Sequence, residues 1–307
     1  MAIGKHQNRT QRLPPGKIMW IAIAAISCAI FVMLHAVFGY LPVNLVNVEI
    51  GIAQTVDMTS NIASNNPMNF DVPKYFQAKI IKSLPLGKPD KVIALTFDDG
   101  PWPETTEKIL ATLKQEKIKA TFFMIGQPLK SFPEIGKKVL ADGHVVANHT
   151  MHHWYKQMSP LVAQREVEDT ARIIKEVLNV ETDYFRPPGG MLNNGLVAYS
   201  LSRNQSVAMW SIDSGDSRPL RPTPAAMIDT VVSQATPGGI VLMHDGGGSH
   251  NNTAKALPVI INKLRAQGYK FVTIPALLEL ASIPPEPPVA KGTANPPAEI
   301  TVSPGKV

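Results

Sequence analysis

Two adjacent carboxylates, Asp98 and Asp99, stand at the end of the apolar run Val92-Ile93-Ala94-Leu95 and directly before Gly100-Pro101. Neighbouring side chains point to opposite faces of a continuing strand. Such a pair serves one cleft only where the strand stops and turns, and Gly-Pro forces that. One carboxylate can then hold a metal ion while the other moves protons. The segment His149-Thr150-Met151-His152-His153 supplies imidazoles. His149 and His153 are four residues apart, a spacing that puts two ligands on one face of a helical turn. On such a turn His152 would point about 100° away from His153. Taken alone, the stretch reads equally as a His-rich solvent loop. Two neutral imidazoles and one carboxylate leave positions open for water, the arrangement of catalytic zinc. Cobalt, nickel and iron also suit these donors.

The elements that must position these groups alternate. Apolar runs at 92–97, 119–124, 144–147, 207–212, 239–243 and 270–274 predict buried strands. Helical spacing covers 104–116, 128–141, 160–178, 224–235 and 253–266; Ala163, Val167, Ala171, Ile174 and Leu178 mark one apolar face. Strand–helix alternation implies an α/β fold with parallel strands, whose functional groups belong at the carboxyl ends of those strands. The acidic pair, the histidines and His244 all fall at such ends.

The rest of the chain reads differently. Of the net charge of +6, four charges come from Lys5, Arg9, Arg12 and Lys17, and the tail from Ile283 nets zero. The body between carries little excess charge, which speaks against nucleic acid as a partner. From Ile18 to Val48 there is no Asp, Glu, Lys or Arg. Residues 1–17 therefore read as a basic cytoplasmic end and 18–40 as one transmembrane helix. The catalytic body would then lie outside the plasma membrane. A cleaved signal peptide and a secreted product is the competing reading. Residues 41–88 read as a juxtamembrane linker with some freedom to pack on the body, 89–282 as the catalytic domain, and 283–307, with seven prolines, as a flexible tail. The single cysteine, Cys28, excludes an internal disulfide and a cysteine-based zinc site. Nothing in the sequence speaks to oligomeric state.

With both motifs in view, the chain resembles the polysaccharide deacetylases of carbohydrate esterase family 4, the NodB-like domain. Thr96-Phe97-Asp98-Asp99-Gly100-Pro101 and His149-to-His153 match its first two motifs. Phe185-Arg186-Pro187-Pro188-Gly189-Gly190 resembles the third, with Gly189 where tyrosine is usual. Asp213-Ser214-Gly215-Asp216-Ser217 resembles the fourth, with Ser217 in place of tryptophan, and Leu242-Met243-His244 resembles the fifth. The resemblance implies a distorted (β/α) barrel and metal ligation by Asp99, His149 and His153. It makes Asp98 the general base and His244 the general acid. Asp216 would raise the His244 pKa, and Arg186 would orient Asp98. Pro188, Gly189 and Leu242 would serve oxyanion and substrate binding, with the Gly189 N–H at the oxyanion. Gly189 keeps that backbone donor but loses an aromatic wall.

The implied activity is hydrolysis of the N-acetyl group of an N-acetylglucosamine-type polysaccharide outside the cell, with peptidoglycan favoured by a tether. Xylan, chitooligosaccharides or a small cyclic amide are alternative substrates. A non-catalytic carbohydrate-binding relative is the alternative of another class. Simpler readings stand beside these roles: a surface pair of Arg186 with Asp183, loop caps at Asp213 and Asp216, and solvated side chains at Asp245 and His250. Trp102 and Trp154 suit either sugar stacking or packing over the strand ends.

Overall fold

The computed structural model describes residues 67–86 and 90–281. The basic end, the segment expected to cross the membrane and the proline-rich tail lie outside these residues. Among the described residues no helix is long and apolar enough to cross a membrane.

Eleven strands and eight α-helices follow one another along these residues. Strands β1 (Met68–Phe70) and β2 (Ile80–Ile81) precede β3 (Val92–Asp98), α1 (Thr105–Gln115) and β4 (Thr121–Met124). Next come α2 (Gly126–Ser131), α3 (Pro133–Ala141), β5 (Val145–Asn148), α4 (Pro160–Leu178), β6 (Val180–Thr182) and β7 (Tyr184–Phe185). The last part holds α5 (Leu196–Ser202), β8 (Ser206–Ala208), β9 (Ile212–Asp213), α6 (Pro224–Gln234), β10 (Gly239–His244), α7 (Asn251–Ala266), β11 (Lys270–Val272) and α8 (Ile274–Leu280).

Nine strands form one parallel sheet in the order β2-β8-β7-β5-β4-β3-β10-β9, with β11 beside β3. Helices cover it, so β3, β4, β5 and β10 are buried along their whole length. That is why they read as unbroken apolar runs rather than as alternating patterns. The sheet curls until Ser83, just beyond β2, bridges Gly239 at the start of β10. The result is the distorted (β/α) barrel that the motifs imply.

Four local expectations need correction. Residues 67–86, placed in a linker by sequence, contribute β1 and β2 to the body; β2 pairs with β8, and β1 pairs with β6 in a separate ribbon. The helix at 128–141 is two helices, α2 and α3. Pro133 lacks an N–H and pushes Phe132 out of helical geometry (φ −127°, ψ 55°). The run 207–212 is β8 and β9, separated by Met209–Ser211, because the chain crosses there from a neighbour of β2 to a neighbour of β10. His149–His153 is not a helical turn. Thr150 (φ 67°) and His153 (φ 58°) are left-handed, and the two histidines meet across a loop.

The longest helix, α4, shows why the alternation was legible. The Ser159 hydroxyl accepts from Val162 N–H, Pro160 stands at the first turn, and Asn179 ends the helix in the left-handed region.

Candidate active site

The carboxyl end of the sheet gathers the functional groups. Asp98 is the last residue of β3, and at Asp99 the backbone turns left-handed (φ 74°), so both carboxylates enter one cleft. His149 follows β5, Arg186 follows β7, Asp216 lies on the loop after β9, and His244 ends β10.

Asp99, His149 and His153 each offer a ligand atom, all within 4.8 Å of one another. Asp99 Oδ1 lies 3.3 Å from His149 Nε2 and 3.0 Å from His153 Nε2, yet it is buried without a hydrogen-bond partner. His149 Nδ1 sits 2.7 Å from the Arg186 carbonyl, which can only accept. The proton is therefore on Nδ1, and the Nε2 lone pair faces the Asp99 oxygen. Opposed lone pairs at this distance fit a cation between them, so the residues suit the divalent ion that the motifs imply. Burial pushes the Asp99 carboxyl up; where no cation is held, hydrogen bonds and positive charge from protonated His149 and His153 outweigh it and hold the group well below the usual carboxylate range. His152 is not part of the cluster. Its N–H and Nδ1 bond to the buried carboxylate of Glu166 at 2.9 and 2.6 Å.

Arg186 is fully buried, which removes the reading of a surface pair with Asp183. Its Nη1 donates to Asp98 Oδ1 (2.6 Å) and Thr96 Oγ1 (2.9 Å), Nε to the Ala208 carbonyl (2.7 Å) and Nη2 to the Met209 carbonyl (3.1 Å). The guanidinium also lies 3.9 Å over the Phe123 ring. So many fixed partners lock one oxygen of Asp98 and leave Oδ2 turned toward the Asp99–His149–His153 cluster, 3.7 Å from His149 Nε2.

On the other side of the cleft Asp216 accepts from His244 Nδ1 (2.7 Å), His244 N–H (2.8 Å) and Thr253 Oγ1 (2.8 Å). Asp216 is thus no simple loop cap, whereas Asp213 is one: its carboxylate caps Gly215 N–H at 2.7 Å. Burial pulls the His244 pKa down. The hydrogen bond and charge of Asp216 more than offset this, aided by Asp98 and Asp99, and the imidazole is raised to about 9. His250 and Asp245, expected in solvent, are both buried. The His250 ring stacks on His244 at 5.5 Å and lines a cavity of about 310 Å³ beside Asp216.

Residues 86–205 match the family model of polysaccharide deacetylases. A peptidoglycan-N-acetylglucosamine deacetylase of Bacillus cereus is 37% identical over 190 residues, which cover 62% of this chain and 89% of that enzyme. The chain belongs to the polysaccharide deacetylase family. The solved structure of a peptidoglycan N-acetylglucosamine deacetylase bound to an N-hydroxybenzamide superposes with a TM-score of 0.62 at 31% identity, covering 67% of this chain and 94% of that one. A carbohydrate esterase family 4 pseudoenzyme of Bacillus anthracis superposes with a TM-score of 0.59 at 30% identity, covering 66% and 69%. The same fold thus carries both an enzyme and a pseudoenzyme, so activity has to be argued from the residues of the cleft.

Several groups of this deacetylase cleft have roles that the motifs do not assign. Thr96 Oγ1 links Arg186 to the Val241 carbonyl of β10. Asn148 Oδ1 accepts from Thr150 N–H and shapes the histidine loop. Glu166 had a visible signal, a charge three residues after Ala163 on the apolar face of its helix. Tyr155 had none. A Cβ on Gly189 (φ 59°) would lie 2.7 Å from Tyr155 Cε1, so the tyrosine ring occupies the space beside that glycine. The expected loss of an aromatic wall at Gly189 is therefore corrected: an aromatic ring arrives from a different loop. Partial desolvation, with the charges of Asp99 and Asp98, raises the Tyr155 phenol above its usual value and keeps it protonated. Among the other expected lining residues, Leu242 and Pro188 are buried and Gly189 is exposed.

Asp245 has a structural consequence. Its Oδ2 accepts from Thr106 Oγ1 at 2.6 Å, while Oδ1 is buried without a partner. Gly100 is required beside it, since a Cβ there would sit 2.2 Å from Oδ2. Burial, reinforced by the charges of Asp99 and Asp98, raises the carboxyl to about 7. A carboxyl raised on folding costs stability progressively from its unfolded value near ~4 up to about 7, and the full cost persists above. Asp245→Asn is expected to raise Tm at pH 8 by ~3 °C or more, with a smaller gain at pH 5. Scanning calorimetry at both pH values checks this, and equal shifts would place the cost in shape rather than charge.

Proposed function

We propose that this protein hydrolyses the N-acetyl group of N-acetylglucosamine residues in peptidoglycan, releasing acetate and a free amine, with a zinc ion at Asp99, His149 and His153. The observation that carries the reading is the arrangement around one cleft. Three inward-facing metal-ligand atoms have an arginine-locked carboxylate on one side and an aspartate-held imidazole on the other. The charge-free stretch behind a basic N-terminal end supports a membrane tether on the outer face, where the wall is within reach.

The ion supplies Lewis acidity toward the acyl oxygen and toward water. The chain supplies the rest. Asp98 Oδ2, with Oδ1 held by Arg186, takes the proton of the attacking water. The Gly189 N–H, on the exposed turn after Arg186, donates to the oxyanion as the carbonyl carbon becomes tetrahedral. His244, with Nδ1–H fixed on Asp216, gives its Nε2 proton to the amide nitrogen as the carbon–nitrogen bond breaks. Pro188 and Leu242 form the apolar floor for the acetyl methyl.

Acetate release from isolated peptidoglycan and from N-acetylglucosamine oligosaccharides tests the reading, with metal content measured on the same preparation. The expected result is acetate from both substrates and about one divalent ion per chain, lost in His153→Ala. The pseudoenzyme among the neighbours motivates one rival, a non-catalytic glycan binder. A protein that binds oligosaccharide, holds no metal and releases no acetate would establish that rival instead.

A further inference from the structure

Tyr155 stands out on the histidine loop because it is 62% exposed while its surroundings are fixed. On one side its ring abuts Gly189, where the left-handed backbone and the missing Cβ leave just enough room. On the other it stands edge-on to the metal-cluster histidine His153, with centroids 4.9 Å apart and planes at 89°. The loop around it is braced twice. His152 is held by Glu166 through two hydrogen bonds, and Trp154 stacks on His152 at 4.6 Å and 13°. The Lys156 ammonium then sits 3.7 Å over the Trp154 ring. An aromatic side chain placed so firmly, yet more than half open to solvent, offers a free surface right beside Gly189 and His153. Burying that surface needs a ligand with an apolar face, and the C–H face of a pyranose ring is one.

We propose that Tyr155 is the aromatic platform for the sugar whose acetamido group is hydrolysed, and that Gly189 is a glycine so that this ring can stand beside the metal cluster. The inference rests on the peptidoglycan deacetylase reading and adds a specificity residue to it. Glu166 and Trp154 hold the loop that carries Tyr155, through His152.

The test compares wild type, Tyr155→Ala, Tyr155→Phe, Gly189→Ala and the Tyr155→Ala/Gly189→Ala double variant on N-acetylglucosamine oligosaccharides, reading kcat and KM separately. Tyr155→Ala should raise KM about tenfold, with the smaller effect on kcat, and Tyr155→Phe should restore most of it. Gly189→Ala should impair turnover through the clash with Tyr155. That part of its effect should vanish in the double variant, leaving only backbone strain common to both backgrounds. An unchanged KM in Tyr155→Ala overturns the inference. So does loss of metal from that variant, which would make the ring a support for His153, or a Phe variant as damaged as Ala, which would shift the role to the hydroxyl. A wild-type protein that releases no acetate removes the deacetylase reading and this inference with it. Acetate from wild type together with a normal KM in Tyr155→Ala removes this inference alone.

Discussion

Asp98→Asn is expected to lower kcat/KM by ~10³-fold and to destabilise the fold by ~3–5 kcal/mol at the same time. The first effect follows from chemistry. Asparagine keeps the size and one acceptor oxygen but cannot take a proton from water, and a positioned base is worth about two to four orders of magnitude. The second follows from Arg186, which has no access to solvent and, among the described residues, draws its only countercharge at hydrogen-bond distance, 2.6 Å, from Asp98 Oδ1. Removing one member of such a pair leaves the other charge buried and uncompensated. Burial already pulls the guanidinium below its usual value, and Asp98 is what opposes it. Steady-state acetate release and a denaturant or thermal melt read the two effects separately. Asp99→Asn should behave differently, losing bound metal and activity while leaving the Asp98–Arg186 pair intact. An Asp98→Asn protein that is inactive but as stable as wild type would mean that Arg186 finds compensation elsewhere. One that is fully active would remove Asp98 from the base role.

How much of this was open to a reader of the sequence depends on what each signal physically measures. The central strands were legible because parallel strands covered on both faces must be apolar throughout, and β3, β4, β5 and β10 are. Strands β2 and β7 have two residues each, and β1 and β6 have three. No periodicity can be read from pieces so short, which is why β1 and β2 look like linker in the sequence. The ligand trio Asp99, His149 and His153 does meet, but not by the expected route. Four-residue spacing suggested a helical turn, whereas left-handed Thr150 and His153 fold the segment into a loop with the same end-to-end result. Arginine is normally at the surface, so the depth of Arg186 was invisible in one dimension, although its place between Phe185 and two prolines was not. Tyr155 illustrates the limit best. Gly189 announced a missing aromatic ring, but the ring that fills the space lies 34 positions earlier in the chain. Only the folded loop brings the two together.

The pH profile should report the His244–Asp216 pair, and Asp216→Asn should move it most. As a general acid His244 must be protonated, so wild-type kcat/KM should fall on the alkaline side with a midpoint near the raised value of about 9. In Asp216→Asn the burial that lowers the imidazole remains while the opposing charge is gone. The alkaline midpoint should therefore drop by about two pH units or more, to the ordinary histidine value of about 6.5 or below. Stability should change with it, and the signs are fixed by the two directions. His244 is raised on folding, so its contribution is complete below ~6.5 and is lost as pH climbs toward about 9. Asp216 is held well below the usual carboxylate range, because His244 and His250 outweigh the burial that raises it. Its contribution is complete above ~4 and is lost as the medium becomes more acid. The pair therefore stabilises the fold fully between roughly pH 4 and 6.5, and Asp216→Asn should flatten the Tm-versus-pH curve on both flanks. The Asn side chain can still accept from the His244 N–H, so the imidazole keeps a neighbour and loses a charge. The paired measurements are kcat/KM and Tm from pH 4 to 10 for both proteins. An alkaline limb that stays in place in Asp216→Asn would show that another group supplies the proton to the leaving amine.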